Sequence, residues 1–383
     1  MQDDSKRDSP GAVACAAEPS RVARWSWGAW VALILYGSLT PWSGWRDAGV
    51  GAFSYLTAPW PRHVTSFDLV VNVLAYVPLG ALTVLALYPR QRGLLAAASA
   101  TALGIALSAG VEALQTFLPS RVASNVDILT NGIGTLLGAG LAAPFADSLL
   151  ARGTLARIGS SWFDRQAAPA LVLLALWPAA QIHTGPMLFG NGRTAAAPLE
   201  SATLTTAPPS ATARPDFGPV EFMLAEGAVT LCGMLAAGLA LVSAVRAGAP
   251  RLALLATLCA AALAAKALAY GVEFGAEYSF AWVTPGALSG LALGSLCLIV
   301  AVHVESMPVL SRVSSACLVA LIIAVNLVPP NPYHSAWMEQ WHPGKLRHFS
   351  AAAAWLSAAW PYTMLAWQVV DRVIRGRAPA HGA

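Results

Sequence analysis

The sequence predicts an all-α fold: a polytopic transmembrane bundle of about ten helices, arranged as two parallel four-helix copies plus a terminal helix pair. Three observations predict it. Only 11% of the 383 residues are charged and 56% are hydrophobic, where a soluble domain carries about 25% charged residues. Ten mostly apolar stretches of about 18 residues or more, each long enough to span a bilayer, recur along the chain: 25–42, 66–88, 93–118, 127–149, 167–189, 219–245, 251–273, 280–304, 312–328 and 348–370. Lys and Arg alternate in density between successive connections, fifteen on the side holding both termini and seven on the other. That bias implies a multi-pass protein with both termini cytoplasmic.

Residues 1–24 are polar and read as a disordered cytoplasmic tail. Residues 25–149 form the first four-helix unit, which opens with an uncleaved anchor. Its second run begins with Asp68 and Asn72, its third ends at Pro119, and its fourth carries the small-residue stripe Gly132, Gly134, Gly138 and Gly140, suited to close helix packing. Residues 167–305 form the second unit, interrupted by the Thr/Ala/Pro-rich stretch 190–218, expected as an extended outer loop. Residues 312–370 form the terminal pair and 371–383 a cytoplasmic tail. Short matches in the same order suggest that the units are copies: FDLVVNVLAYVPLG (67–80) with VEFMLAEGAVTLCG (220–233), GVEALQ (110–115) with GVEFGA (271–276), and NGIGTLLGAGL (131–141) with SGLALGSLCLI (289–299). Four helices per copy is an even number, so the copies would be parallel.

Polar groups gather in one place. Asp68 and Asn72 are four apart, Glu112 and Gln115 three apart, Asp127 and Asn131 four apart, so each pair shares a helix face. All lie near the outer ends of three successive helices, with Arg121 on the loop joining two of them. Glu112 lies about two turns below Pro119, roughly 9 Å at the rise of an α-helix. An acid facing lipid at the centre of a span costs roughly 2.5–3.5 kcal/mol, less toward the ends, so Glu112 should turn inward. Arg121 is its expected partner, its fork able to hold two carboxylates, with Gln115 and Asn131 as amide partners. Interhelical packing alone is the alternative reading of the set. Glu226 and Lys266 lie at similar depth in antiparallel neighbours and are expected to form a structural ion pair, with a proton or ion relay as the alternative.

Other chemistry is absent from the pattern. Cys15, Cys232, Cys259, Cys297 and Cys317 have no metal-like spacing, and the last four read as small core residues. No H-x-x-x-H, H-E-x-x-H, P-loop or G-x-S-x-G element occurs. Hence no metal, cofactor or nucleic-acid partner is expected, no catalytic residue is assigned, and the oligomeric state stays open.

Asp68–x₃–Asn72–x₃–Tyr76–x–Pro78–Leu79–Gly80, then VEALQTFLPSR (111–121), then DILTNGIGTLLG (127–138) resemble the VanZ-like family of membrane proteins. The resemblance covers 25–149 and carries Asp68, Asn72, Glu112, Gln115, Arg121, Asp127 and Asn131 as motif positions. The chain departs from the pattern at Asn72, which stands where the family often has His. GKLRHF near the C-terminus keeps Lys345, His348 and Phe349 of the family's D-K-x-x-H-F, with Gly344 for the acid. The second copy keeps Glu221 and Glu273 and lacks the Arg, Asp and Asn. The resemblance implies a link to resistance to the glycopeptide teicoplanin and a site at the outer membrane face. From the residues, that site is an acidic–amide–Arg pocket for a membrane lipid headgroup or lipid-linked envelope precursor. The alternatives are a transporter with its site between the two copies, and a membrane hydrolase or transferase using paired carboxylates.

Overall fold

Every apolar run holds one α-helix, because a chain in lipid must satisfy its backbone polar groups internally. The computed structural model describes residues 19–47, 49–60, 65–194, 217–329 and 347–377. Eleven helices occur among them: α1 Arg21–Leu39, α2 Ser66–Leu87, α3 Gly93–Gln115, α4 Asn125–Ala142, α5 Thr154–Trp162, α6 Ala168–Ala180, α7 Pro219–Ala244, α8 Arg251–Phe274, α9 Pro285–Ala301, α10 Met307–Leu327 and α11 Arg347–Arg377. Five of them, α2, α3, α7, α8 and α10, contain stretches long and apolar enough to cross a membrane; α6 and α9 are shorter apolar helices. The described residues contain no strand beyond one isolated bridge between Phe163 and Val245.

In the first half α2 packs most extensively on α4, and α3 and α1 flank that pair. The cause is the small-residue stripe. A Cβ at Gly134 would land on the Val73 carbonyl, one at Gly138 on the Val77 carbonyl, and one at Gly80 on the Thr135 carbonyl. The two backbones meet with no side chain between them, the close approach that small residues permit in membranes. In the second half α7 occupies the middle: 72% of its most apolar window is buried, against 17–33% in the other long spans. It packs on α9 and α10. Gly290 meets the Gly227 carbonyl there as closely as Gly134 meets that of Val73. The halves join through α1, which touches α6 and α11 and stacks Tyr36 on Trp355, ring centroids 4.9 Å apart.

Several boundaries differ from those expected. The fourth run stops at Ala142 instead of 149; a π-turn at Ser148–Arg152 and the short α5 follow. α5 places Ile158 and Trp162 one turn apart between polar residues, and Trp162 packs against the main core. α11 continues past 370 to Arg377, because Asp371 and Arg375 bridge one turn apart at 2.8 Å and Arg372 reaches the Ser315 hydroxyl at 2.8 Å. The stretch expected as an extended loop begins inside the bundle. Gly192 N–H donates to the Ser357 carbonyl at 3.0 Å, and Asn191 Nδ2 to the Ser357 hydroxyl at 2.8 Å. Residues 195–216 lie outside the described residues, as do Cys15, His334, His342, Gly344 and Lys345 and the side chains of His348 and Phe349.

Candidate functional site

α1 and α3 finish, and α2 and α4 begin, at one end of the bundle. Each helix terminus there exposes backbone groups that have no partner within the helix. The last four carbonyls of α1 are all accounted for. Tyr36 accepts from the Thr40 hydroxyl at 2.8 Å, Gly37 from Arg121 Nη2 at 3.0 Å, Ser38 from Gln115 Nε2 at 2.8 Å, and Leu39 from the Trp42 N–H at 2.9 Å. Arg121 Nε adds a bond to the Thr40 carbonyl at 3.1 Å. A cation at this terminus also complements the negative end of the helix dipole. Burial pulls the Arg121 guanidinium down from its ordinary value, and the Glu112 carboxylate opposes that shift.

The acids serve the helix starts. Glu112, 3% exposed, accepts the N–H of Ser124, the residue that caps α4, at 2.8 Å. Asp68 forms a reciprocal cap with Thr65. The Thr65 hydroxyl accepts the Asp68 N–H at 3.1 Å and donates to the Asp68 carboxylate at 2.6 Å. Asp127 sits in the first turn of α4, where the dipole favours an anion, close enough to Asp68 for their charges to interact. Asn131, 5% exposed, ties α4 to α3 by donating to the Ser108 hydroxyl at 2.9 Å. Its Oδ1 is buried with no hydrogen-bond partner among the described residues. Asn72 lies half-buried on α2, with no side-chain hydrogen bond among the described residues.

The structure therefore gathers the motif residues at one end and corrects their expected pairing. The Arg121 fork is directed at the carbonyls of α1, Glu112 takes a backbone donor, and the two amides bond Ser38 and Ser108 in place of a carboxylate. Carbonyls win because α1 ends directly opposite the α3–α4 loop, where its orphan acceptors are close and costly to leave unmet away from water. Glu226 and Lys266 are also not an ion pair. Lys266, 2% exposed, donates to the His183 carbonyl at 2.9 Å and the Gly185 carbonyl at 3.2 Å, 5.2 Å above the Tyr270 ring. Glu226 faces α9 at Thr284 and Gly286. The physical reason is the same: the chain just beyond α6 offers unpaired carbonyls to the cation first.

A cleft of about 430 Å³ lies over this end. The connection from α1 to α2 forms one wall, pinned by Arg46 N–H to the Phe117 carbonyl at 3.0 Å, Tyr55 Oη to the Ala109 carbonyl at 2.9 Å, and Asn125 Nδ2 to the Ala58 carbonyl at 2.9 Å. Its polar lining among the described residues is Arg46, Ser54, Tyr55, Gln115, Thr116 and Arg121, with no carboxylate. Burial, then the Glu112 charge, raise the Tyr55 phenol above its ordinary value, so it stays a neutral donor. A family model described as VanZ/LLP1 matches residues 26–147. This segment is VanZ-like. No curated protein and no solved structure matches the chain.

The VanZ-like segment thus comprises α1–α4 and their loops, with the motif as its polar end plate. Arg46, Ser54 and Tyr55 were missed from sequence. A usable signal was present: Arg46 is one of the few basic residues on that side of the chain, and it sits among Trp42, Trp45 and Trp60. In the second half the segment that follows α6 is buried. The chain after α6 folds inward, with Leu188 1% and Phe189 0% exposed. Glu273, on α8, takes the Thr184 hydroxyl at 3.3 Å.

Proposed function

We propose that this VanZ-like membrane protein binds a cell-envelope component, a lipid headgroup or lipid-linked precursor, in the cleft at the motif end of α1–α4, on the outer face of a bacterial inner membrane. The observation that carries the reading is the cleft itself: about 430 Å³, within the range of small-molecule sites, and built over the end of α1, whose last four carbonyls are all bonded. The connection that walls it exposes Trp42, Trp45, Phe53, Leu56 and Trp60, the residue types that anchor at membrane–water interfaces. The motif residues act as the frame of the site, and the α1–α2 connection supplies the contacts. A contribution to teicoplanin resistance is the finer reading that family resemblance suggests. A repeat relation between the halves is supported by a shared device: each places a cation from its third helix or the following loop, Arg121 or Lys266, on the carbonyls where its first helix ends.

Acid–base chemistry has one observation in its favour, the mutual proximity of Asp68 and Asp127, but neither lines the cleft. The test is to purify the full chain with mild detergent and identify retained lipids by mass spectrometry. One lipid class enriched well above its share of the membrane is expected. Retained lipid in the same proportions as the membrane refutes binding. Cysteine in place of Ser43, labelled in intact cells by an impermeant maleimide, tests the outward orientation.

A further inference from the structure

We infer that the cleft recognises the phosphate of a lipid-borne headgroup, with Arg46 as the residue that contacts it and Arg121 as the cation fixed behind it. The inference rests on the binding reading above and names the chemistry the site takes. Three observations carry it. Among the described residues, the cleft lining holds two guanidinium groups and no carboxylate. Of the acids nearby, Glu112 is turned onto the Ser124 N–H and Asp47 accepts the Gly49 N–H at 2.8 Å within its own turn, so both are engaged by backbone donors.

The donors differ in commitment. Arg121 spends at least two N–H groups on α1 carbonyls. Arg46 is exposed, and its guanidinium makes no hydrogen bond or ion pair among the described residues, although its backbone is anchored to Phe117. The Ser54 hydroxyl, also on the lining, is likewise unengaged among the described residues. An uncommitted guanidinium and a hydroxyl on one cleft lining match a phosphate, which accepts forked bonds from Arg and a further bond from a hydroxyl.

The setting argues for a lipid as the phosphate's source. Trp42 and Trp45 pack with ring centroids 6.2 Å apart, and both are exposed along with Trp60. Aromatic residues of this kind sit at headgroup depth. Arg46 lies between Trp45 and Tyr55 in the same connection, and its backbone is anchored to Phe117, which suits its side chain to a phosphate at headgroup depth. The volume exceeds what one inorganic ion would fill and admits the group attached to the phosphate.

The experiment uses the full chain in detergent, titrated with short-chain phosphatidic acid, with diacylglycerol of the same chains, and with inorganic phosphate, read by tryptophan fluorescence and native mass spectrometry. Phosphatidic acid is expected to bind at least tenfold more tightly than diacylglycerol. Arg46→Glu removes that preference, and Arg90→Glu, on an exposed turn at the other end of the bundle, leaves it intact. Arg46→Glu keeps the backbone anchor and an exposed side chain, so it folds; unchanged thermal unfolding checks this. Equal binding of the two lipids, or a phosphate preference that survives Arg46→Glu, overturns the inference while leaving lipid binding standing. Displacement of phosphatidic acid by an equal concentration of inorganic phosphate overturns the lipid source. If no lipid binds the wild-type chain, the binding reading itself fails.

Discussion

Replacing Arg121 by Ala separates two explanations for a cation at this loop. In the structure the guanidinium gives bonds of 3.0 and 3.1 Å to the Gly37 and Thr40 carbonyls. A hydrogen bond with one charged partner contributes about 1.5–3 kcal/mol. Arg121 is half-buried, so the lower value applies to each, and Arg121→Ala should destabilise the protein by about 3 kcal/mol. The alternative is that Arg121 exists to neutralise Glu112. On that view the loss arises from a stranded carboxylate, and Glu112→Gln should restore the double variant. The geometry predicts otherwise. Glutamine retains an oxygen for the Ser124 N–H, so Glu112→Gln alone should cost little. The coupling between the two changes should stay near 1 kcal/mol, as for charges beyond contact distance in a moderately screened setting. The assay is reversible denaturation of the four proteins in mixed micelles, followed by tryptophan fluorescence. Full rescue of Arg121→Ala by Glu112→Gln, or a loss below about 1 kcal/mol in Arg121→Ala, would refute the capping argument.

Gly138→Ala places a Cβ on the Val77 carbonyl and should cost about 1–3 kcal/mol through overpacking, whereas Gly140→Ala, with nothing within 4 Å, should be neutral; the yield of monodisperse protein and its melting temperature check both. Lys266→Met removes two bonds to the chain beyond α6 and should cost about 2–3 kcal/mol. Adding Glu226→Gln should not offset that loss, and offset in a double-mutant cycle would restore the ion-pair reading. Asn131→Ala and Ser108→Ala should each cost about 1 kcal/mol and be non-additive by a similar amount; strict additivity in the same denaturation assay would separate the two side chains.

The apolar runs and the composition were enough to specify a helical membrane bundle, because spanning lipid leaves a chain few backbone options. The spacing of Asp68, Asn72, Glu112, Gln115, Asp127 and Asn131 was enough to place them at one end and on shared faces, because helical period and short loops act locally. Gly134 and Gly138 were legible as a packing stripe for the same reason. Pairing was not legible. Which acceptor Arg121 or Lys266 meets depends on where α1 and α6 stop, and carbonyls carry no letter in the sequence. The cleft was hidden too. Its wall is Arg46, Ser54, Tyr55 and Ala58 of the α1–α2 connection, and only bonds such as Arg46 N–H to the Phe117 carbonyl and Tyr55 to the Ala109 carbonyl fold that connection across the α3–α4 loop.

Sequence alone therefore settled the solvent this chain lives in, the helices it forms and the end at which its polar residues collect, since each follows from local composition and period. Tertiary structure alone decided that the acids and Arg121 are used on helix ends, that the first half keeps an open basic cleft, and that Leu188 and Phe189 are buried in the second. The reason is that a buried donor takes the nearest acceptor left unsatisfied, and nearness between distant segments exists only after the chain has packed.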